Sequence, residues 1–255
     1  MFTAQQLVGW IEGYYWPFLR LSAMLLASPV FSASSFPVRG RILLAVLVTA
    51  LVAPSLPAFP DIDPFGPEGI LISGQQIVIG LAMGFVVQMI FGAVVIAGQS
   101  LAMTMGLGFA MSVDPQNGVQ VPVLSQFYVI LATLIFLALD AHLILIELLV
   151  QSFTLLPVGF AGWDNGFAWN VVIWGSQMFM NALLLAIPAL TAVLLINVAF
   201  GVITRAAPQL NIFAVGFPVT IMAGFLFILL SLPTTLDLLT EMFDAGLLQA
   251  LDMFR

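Results

Sequence analysis

Long stretches without a charged residue alternate along this chain with short polar connections. No charge occurs in four stretches, Gly69–Val113, Pro115–Leu139, Asn165–Thr204 and Ala206–Leu236. A membrane-spanning helix needs about 20 mostly apolar residues, so the pattern predicts an all-α protein with about six long apolar helices. Their approximate bounds are Trp10–Phe31, Ile42–Pro57, Ile70–Met103, Val123–Val150, Trp169–Phe200 and Ile212–Leu232. The third and fifth are long enough to tilt or to continue beyond a bilayer, and Pro188 predicts a kink or break in the fifth.

Composition places the chain in a membrane. Hydrophobic residues make up 62% and charged residues 7%, whereas a soluble domain carries roughly 25% charged residues. With no Lys and a net charge of -7, no basic patch is available for nucleic acid. The absence of Cys and the single His leave little for a metal or haem, and we expect no cofactor.

The connections differ in charge, and this difference predicts a topology. Arg39 and Arg41 follow the first apolar stretch, and Arg205 follows the fifth. The positive-inside rule puts these loops in the cytoplasm, which leaves both termini outside. No tandem repeat or long linker is visible, so we expect one membrane domain over residues 1–255.

One segment breaks the apolar pattern with loop-forming residues. It runs from Met105 to Phe127 between two apolar stretches, and Asp114 is its only charge. Irregular backbone in a membrane protein is tolerated only where protein buries it or where it lines a wet cavity. The segment is therefore the first place to look for a pore, a gate or a binding site. Its candidate residues are Met105, Gly106, Gly108, Phe109, Met111, Asp114, Pro115, Asn117, Gly118 and Pro122.

The side chains of this segment suit a seal. Met is flexible and fills irregular gaps, and Phe109 between two small residues is a natural bulky stopper. Met and Phe side chains could close a pore and still yield to a passing chain. The alternative is that Met only fills core space, which is its commoner role.

Small residues recur at a spacing of four in the third apolar stretch. The residues concerned are Gly80, Gly84, Gln88 and Gly92, with Gln99 eleven residues after Gln88 on the same face. Such small-xxx-small patterns permit close helix approach, and a Gln can form a hydrogen bond across the contact. We interpret these residues as helix or subunit packing.

Two sets of polar residues leave alternatives open. Arg20, inside the first apolar stretch, either pairs with Glu12 or a partner subunit, or snorkels from a membrane edge. Asp140, His142 and Glu147 could serve a proton relay, but a span end or a protein interface is favoured, because no basic partner appears in a neighbouring stretch.

Several motifs together resemble a known family. The segment Gly106-Leu-Gly-Phe-Ala, with Asp114-Pro and Pro122-Val-Leu-Ser-Gln-Phe127, is similar to the FliR family of type III secretion export gates. Arg39-Gly-Arg41 resembles the entry to that family's second span. Arg205-Ala-Ala-Pro-Gln-Leu-Asn-Ile-Phe213 with Gly216-Phe-Pro218 resembles its late hairpin loop.

The resemblance implies a fold and a role. It implies a FliP-like part over residues 1–168 and a FliQ-like helical hairpin over 169–255, with Arg205, Pro208, Gln209 and Asn211 at the hairpin tip. It implies assembly with FliP-like and FliQ-like gate subunits and with FlhB-like and FlhA-like export proteins in the bacterial inner membrane, at the flagellar basal body. Unfolded flagellar subunits would pass through the channel, and the residues from Gly106 to Pro122 would form its plug. The family's assembled helices also stand largely outside the membrane plane, which conflicts with a simple six-span picture.

Two alternatives remain at this stage. One is the equivalent gate subunit of a virulence secretion system. The other is an ion-coupled secondary transporter with a midplane site near Asp140, Glu147 and Pro188, although such folds usually show two related halves. The sequence shows no nucleophile elbow, P-loop or metal-binding motif, so we do not expect an enzyme.

Overall fold

The computed structural model describes residues 4–33, 36–57, 59–60, 62–107, 123–159, 166–207 and 212–253. These residues are mostly helical, and none of them forms a strand. In chain order the helices are α1 (Ala4–Ala27), α2 (Pro29–Ser32), α3 (Val38–Val52), α4 (Pro67–Thr104), α5 (Val123–Ala138), α6 (Ala141–Leu155), α7 (Gly166–Ala206) and α8 (Ile212–Asp252). A 3-10 turn, Ala53–Ser55, extends α3. The all-α prediction is confirmed.

The predicted helix Val123–Val150 is two helices. The chain breaks at Leu139 and Asp140, where Asp140 takes a left-handed conformation with φ 52° and ψ 23°. An L-residue in this region cannot continue a right-handed helix, and Asp is one of the few that adopt it readily. The first predicted stretch is also divided, because α1 ends at Ala27 and Pro29 starts α2.

Prolines break the long helices less than the sequence predicts. The helix α7 runs without a break through Pro188, and α8 runs through Pro218 and Pro233 to Asp252. No break occurs at Pro188, so of the predicted kink or break only the kink stays a prediction. The last helix extends well beyond Leu232.

Within the described residues, four helical stretches are long and apolar enough to cross a membrane, and the bent pair α5–α6 makes a fifth if it counts as one span. The stretch Trp10–Phe31 is helical but is not among them. Among its described residues the structure thus has four or five apolar stretches of this length, where the sequence predicts about six. The helices α4, α7 and α8 each rise about 57–62 Å at 1.5 Å per residue, roughly twice the 30 Å hydrocarbon thickness.

The chain divides into two compact units. The first comprises Met1–Met89, Asp140–Gly175 and Phe243–Arg255. The second comprises Ile90–Leu139 and Ser176–Met242. Buried Trp16, Met83 and Phe153 lie in the core of the first unit, whereas Phe136 and Val193 lie in the core of the second.

Candidate functional site

The Gly-rich segment begins at a Schellman turn that ends α4. The Leu107 N–H donates to the Ala102 carbonyl at 2.9 Å, and the Gly106 N–H donates to the Met103 carbonyl at 3.1 Å. These are the two bonds of the motif, and they satisfy carbonyls that the end of a helix leaves unpaired. Gly106 has φ 83°, which glycine adopts without strain. Gly106 thus ends α4 and redirects the chain into the segment.

The residues of this turn pack against α8 in a reciprocal way. A Cβ added at Gly106 would lie 2.6 Å from Cε2 of Phe217, and one added at Gly224 would lie 2.5 Å from Cε of Met105. Phe217 and Gly224 are two turns apart on α8, so they share a face. Each helix therefore places a large side chain where the other has a glycine, and Met105 is fully buried there.

The far end of the segment is also held in the second unit. The Ser125 hydroxyl at the start of α5 donates to the Val95 carbonyl at 3.0 Å. A Cβ at Gly98 would lie 2.6 Å from the Ser125 Cα, so α5 and α4 touch backbone to backbone. Leu124 and Ser125 are buried. The segment consequently leaves and re-enters the described structure at two fixed points.

A polar contact from α7 supports the same turn. The Asn197 amide Nδ2 donates to the carbonyl of Thr104, the last residue of α4, at 3.2 Å. This carbonyl has no partner within its own helix. Two helices, α7 and α8, thus hold the end of α4 and the start of the segment, whereas α5 contacts α4 about two turns earlier, at Val95 and Gly98.

Most predicted residues of the segment lie outside the described residues, as does most of the predicted hairpin tip. Those of the segment are Gly108, Phe109, Met111, Asp114, Pro115, Asn117, Gly118 and Pro122. Those of the tip are Pro208, Gln209 and Asn211. Arg205 is described, and it is an exposed residue in the last turn of α7.

Gly80 and Gly84 bring α4 against α1 in the first unit. A Cβ at Gly80 would overlap the Arg20 carbonyl oxygen and lie 2.9 Å from the Ala23 Cβ. One at Gly84 would lie 2.5 Å from the Met24 carbonyl oxygen and 2.7 Å from the Ala27 Cβ. The close partners are mostly backbone atoms and short side chains, which cannot swing aside.

The three other residues predicted for this face of α4, namely Gln88, Gly92 and Gln99, have different surroundings. A Cβ at Gly92 would lie 2.9 Å from Sδ of Met178 in the second unit. Gln88 and Gln99 are exposed on α4, and neither side chain forms a hydrogen bond to another described residue. The cross-helix bond expected for Gln88 is not formed by this chain among these residues.

Arg20 is fully buried in a cage of neutral groups. Its Nε donates to Oε1 of Gln76 at 2.8 Å and its Nη1 to the Ser152 hydroxyl at 2.8 Å. Its Nη2 donates to the Leu156 carbonyl at 2.9 Å. The guanidinium carbon lies 3.9 Å from the Phe153 ring centre, a cation–π distance. Of the two alternatives, snorkelling is wrong, because Gln76 on α4, helix α6 and the turn after it supply partners within the chain. The side chain of Glu12 lies outside the described residues.

The acidic residues Asp140 and Glu147, predicted to lie on one helix, do not form a site among the described residues. Asp140 occupies the break before α6, and both it and Glu147 are exposed. Glu147 accepts a hydrogen bond from Gln151 of the same helix at 3.4 Å. Among the described residues, no three His, Cys, Asp or Glu side chains come close enough to hold a metal ion.

Sequence reasoning located the start of the segment but missed its supports. In the sequence Phe217 is only part of the motif Gly216-Phe-Pro218, and no motif includes Gly224. A signal for Gly224 does exist, because it lies seven residues after Phe217 on one helix face. The partners of Arg20 carry no sequence signal, since they lie 56 to 136 residues away.

Comparison with known proteins gives a consistent family. The family model for bacterial export proteins, family 1, matches residues 11–246. The chain is 41% identical over 222 residues to the flagellar biosynthetic protein FliR of Escherichia coli K12, covering 87% of this chain and 85% of that protein. It is 39% identical over 248 residues to FliR of Pectobacterium carotovorum, covering 95% and 94%. It is 28% identical over 230 residues to FliR of Bacillus subtilis 168, covering 89% and 88%.

Proposed function

The chain belongs to the bacterial export proteins, family 1, together with the flagellar biosynthetic proteins FliR, and from this premise we propose that it is a structural subunit of a flagellar protein-export channel. It works without catalysis. Its relatives named above are flagellar proteins, which favours a flagellar role over a virulence secretion system. The family membership is the observation that carries this proposal.

Within that channel, the segment from Met105 to Pro122 acts as the gate. Support comes from its two ends, which are held by backbone and side-chain contacts to α4, α7 and α8. We expect passage of a substrate to require displacement of this segment while the helices at its two ends stay in place. The glycines supply the backbone freedom for this movement.

The seal itself comes from bulky apolar side chains. Phe109, Met111 and their neighbours fill the pore when no substrate is present, because dispersion contacts need close packing and Met adapts to irregular gaps. An unfolded export substrate displaces these side chains, because each apolar contact is individually weak. The gate therefore closes tightly and opens at low cost.

Partner subunits surround this chain in the inner membrane at the flagellar basal body. The apolar stretches of α7 and α8 are each only 22% buried within the chain, against 61% for α4. Their exposed apolar faces call for lipid or other apolar helices. We propose that FliP-like and FliQ-like subunits cover them, that FlhB-like and FlhA-like proteins join the assembly, and that unfolded flagellar subunits pass through it. Residues 169–255 form the FliQ-like hairpin, consistent with two 41-residue helices joined by a short connection, and residues 1–168 form the FliP-like part.

The gate is tested by replacing residues 108–118 with a Gly–Ser linker of equal length. This change keeps the Schellman turn at Gly106 and the start of α5. We expect the assembled complex to form but to leak ions, measured as loss of membrane potential in cells, because the linker has no side chains to fill the pore.

Single substitutions provide a matched pair. Phe109→Ala removes a ring from the gate, whereas Phe65→Ala removes an 81% exposed ring from another Gly- and Pro-containing connection. The first should leak and the second should not. Ion-tight membranes with normal flagellar export after the linker replacement would rule out the gate, while absence of the assembled complex in co-purification would count against the subunit role itself.

A further inference from the structure

An apolar groove with one arginine at its edge lies in the first unit. Helices α1, α3 and α4 line it, and its volume is about 360 Å³. Its walls include Phe18, Leu26, Ile42, Ala45, Ile77 and Leu81. The two polar residues in the lining are Ser22 and Arg41, and the Ser22 hydroxyl already donates to the Leu19 carbonyl at 3.1 Å. Arg41 thus supplies the groove's free polar groups.

The Arg41 side chain is positioned rather than loose. Its Nε donates to the Phe31 carbonyl at 2.9 Å, which fixes the plane of the guanidinium. Among the described residues this bond uses one of the five donors of Arg41, so its two terminal nitrogens remain for an acceptor. A guanidinium fork is suited to a phosphate group, which it binds with two parallel hydrogen bonds.

We infer that this groove binds one acyl chain of an anionic phospholipid whose phosphate is held by Arg41. The ligand has the two features that the groove complements, an apolar tail and a negative head. The stretch Val38–Ser55 is apolar enough to cross a membrane, and 11% of it is buried within the chain. Arg41 lies near its start, as expected for a residue at headgroup depth, and basic sites between membrane helices bind anionic headgroups in other proteins.

The length of the groove suits a lipid tail. From Val38 to Ala45 the groove follows α3 for about 10 Å at 1.5 Å per residue. A stretch of one acyl chain fits along this length, beside the apolar side chains of Phe18, Ile42 and Ile77.

The helix itself offers a matched control for the charge. Arg39 and Arg41 are two residues apart, so they point to nearly opposite sides of α3. Arg39 is exposed and does not line the groove. Leu43, 59% exposed, likewise lies away from the groove, whereas Ala45 lines it. Each substitution in the groove therefore has a partner on the same helix outside it.

The test measures lipid retention by native mass spectrometry on the purified full chain, titrated with phosphatidylglycerol or phosphatidylcholine. We expect wild type to prefer phosphatidylglycerol by about fivefold, from about one charge interaction at the membrane surface. Arg41→Gln should abolish the preference and Arg39→Gln should keep it. Ala45→Phe should lower retention of both lipids, and Leu43→Phe should not.

Several results would overturn the inference. Equal losses in the Arg39 and Arg41 variants would mean a diffuse surface charge, and unchanged retention in Ala45→Phe would mean that the tail lies elsewhere. Because Ala45→Phe can misfold, Ile42→Gln, at a 55% exposed lining position, provides a second test with the same expected loss. Titration is repeated on the complex with partner subunits, where disappearance of the bound lipid would identify the groove as a protein interface.

Discussion

Adding one methyl group at Gly80 should separate α1 from α4 and disturb the cage around Arg20. The new Cβ would overlap the Arg20 carbonyl oxygen and lie 2.9 Å from the Ala23 Cβ, whereas ordinary contact begins at 3.4 Å. The helices must therefore move apart by at least about half an ångström, and by more at the carbonyl. Overpacking of this kind costs about 1–3 kcal/mol.

The displacement acts on Arg20 directly, because the obstructed atom belongs to that residue. Its hydrogen bond to Gln76 on α4 is 2.8 Å long, so a shift approaching 1 Å weakens it severely. A hydrogen bond to a charged group contributes about 1.5–3 kcal/mol. Alanine's better helix propensity returns about 0.8–1 kcal/mol. We expect a net loss of about 2–4 kcal/mol for Gly80→Ala, and a similar steric loss for Gly84→Ala.

Gly74 provides the control within the same helix. A Cβ there meets nothing within 4 Å, so Gly74→Ala should gain only the helix-propensity term of up to about 1 kcal/mol. Thermal unfolding in detergent, followed by tryptophan fluorescence, reports on the contact because Trp16 is buried on α1 one turn before Arg20. For a chain of this size the Gly80 variant should unfold roughly 5–15 °C lower. Equal unfolding temperatures for the three variants, Gly80→Ala, Gly84→Ala and Gly74→Ala, would show that the contact between α1 and α4 does not depend on the missing Cβ atoms.

Three further substitutions test separate features. Arg20→Gln should lower the unfolding free energy by about 2–4 kcal/mol, because it leaves buried acceptors unpaired. Arg20→Lys should recover only part of this loss, since an ammonium lacks the planar fork of a guanidinium. Equal stability of the Lys variant and the wild type would refute the role of the cage. Gly106→Ala should lower the unfolding free energy by about 1–2 kcal/mol from the left-handed conformation alone. Adding Phe217→Ala should relieve the steric overlap but not the backbone strain, and a double-mutant cycle of unfolding free energies measures the difference. Asp140→Asn should leave the unfolding free energy nearly unchanged. Asp140→Val should lower it by about 1–2 kcal/mol, because a β-branched residue disfavours a φ of 52°. Equal unfolding temperatures of the Asn and Val variants would contradict this prediction.

The helices were predictable where composition alone decides them. Long runs without charge give long apolar helices, and α4 lies close to its predicted bounds. The break at Asp140 was not predictable, since apolar residues continue on both sides and neither Gly nor Pro marks it. Pro188 misled in the opposite direction, because α7 continues through it without a break, so a local preference was overridden.

The candidate site divides in the same way. Gly106 stood out because glycine and proline cluster around it, and its φ of 83° gives the local reason. Phe217, Gly224 and the partners of Arg20 belong to helices far along the chain, and a single sequence contains no pairing information for them. Local chemistry therefore identified where the segment starts, and tertiary packing determined what holds it.

The cage around Arg20 also constrains the order of events during synthesis. Its carbonyl partner at Leu156 follows 136 residues later, which is about 7–27 s of translation at 5–20 residues per second. Throughout that interval the guanidinium has Gln76 at most, while residues 90–139 of the other unit emerge first. Arg20 on α1 therefore lacks part of its hydrogen bonds until α6 and the turn after it have been synthesised. The final packing of α1 is consequently a late step in folding, which depends on the formation of α6.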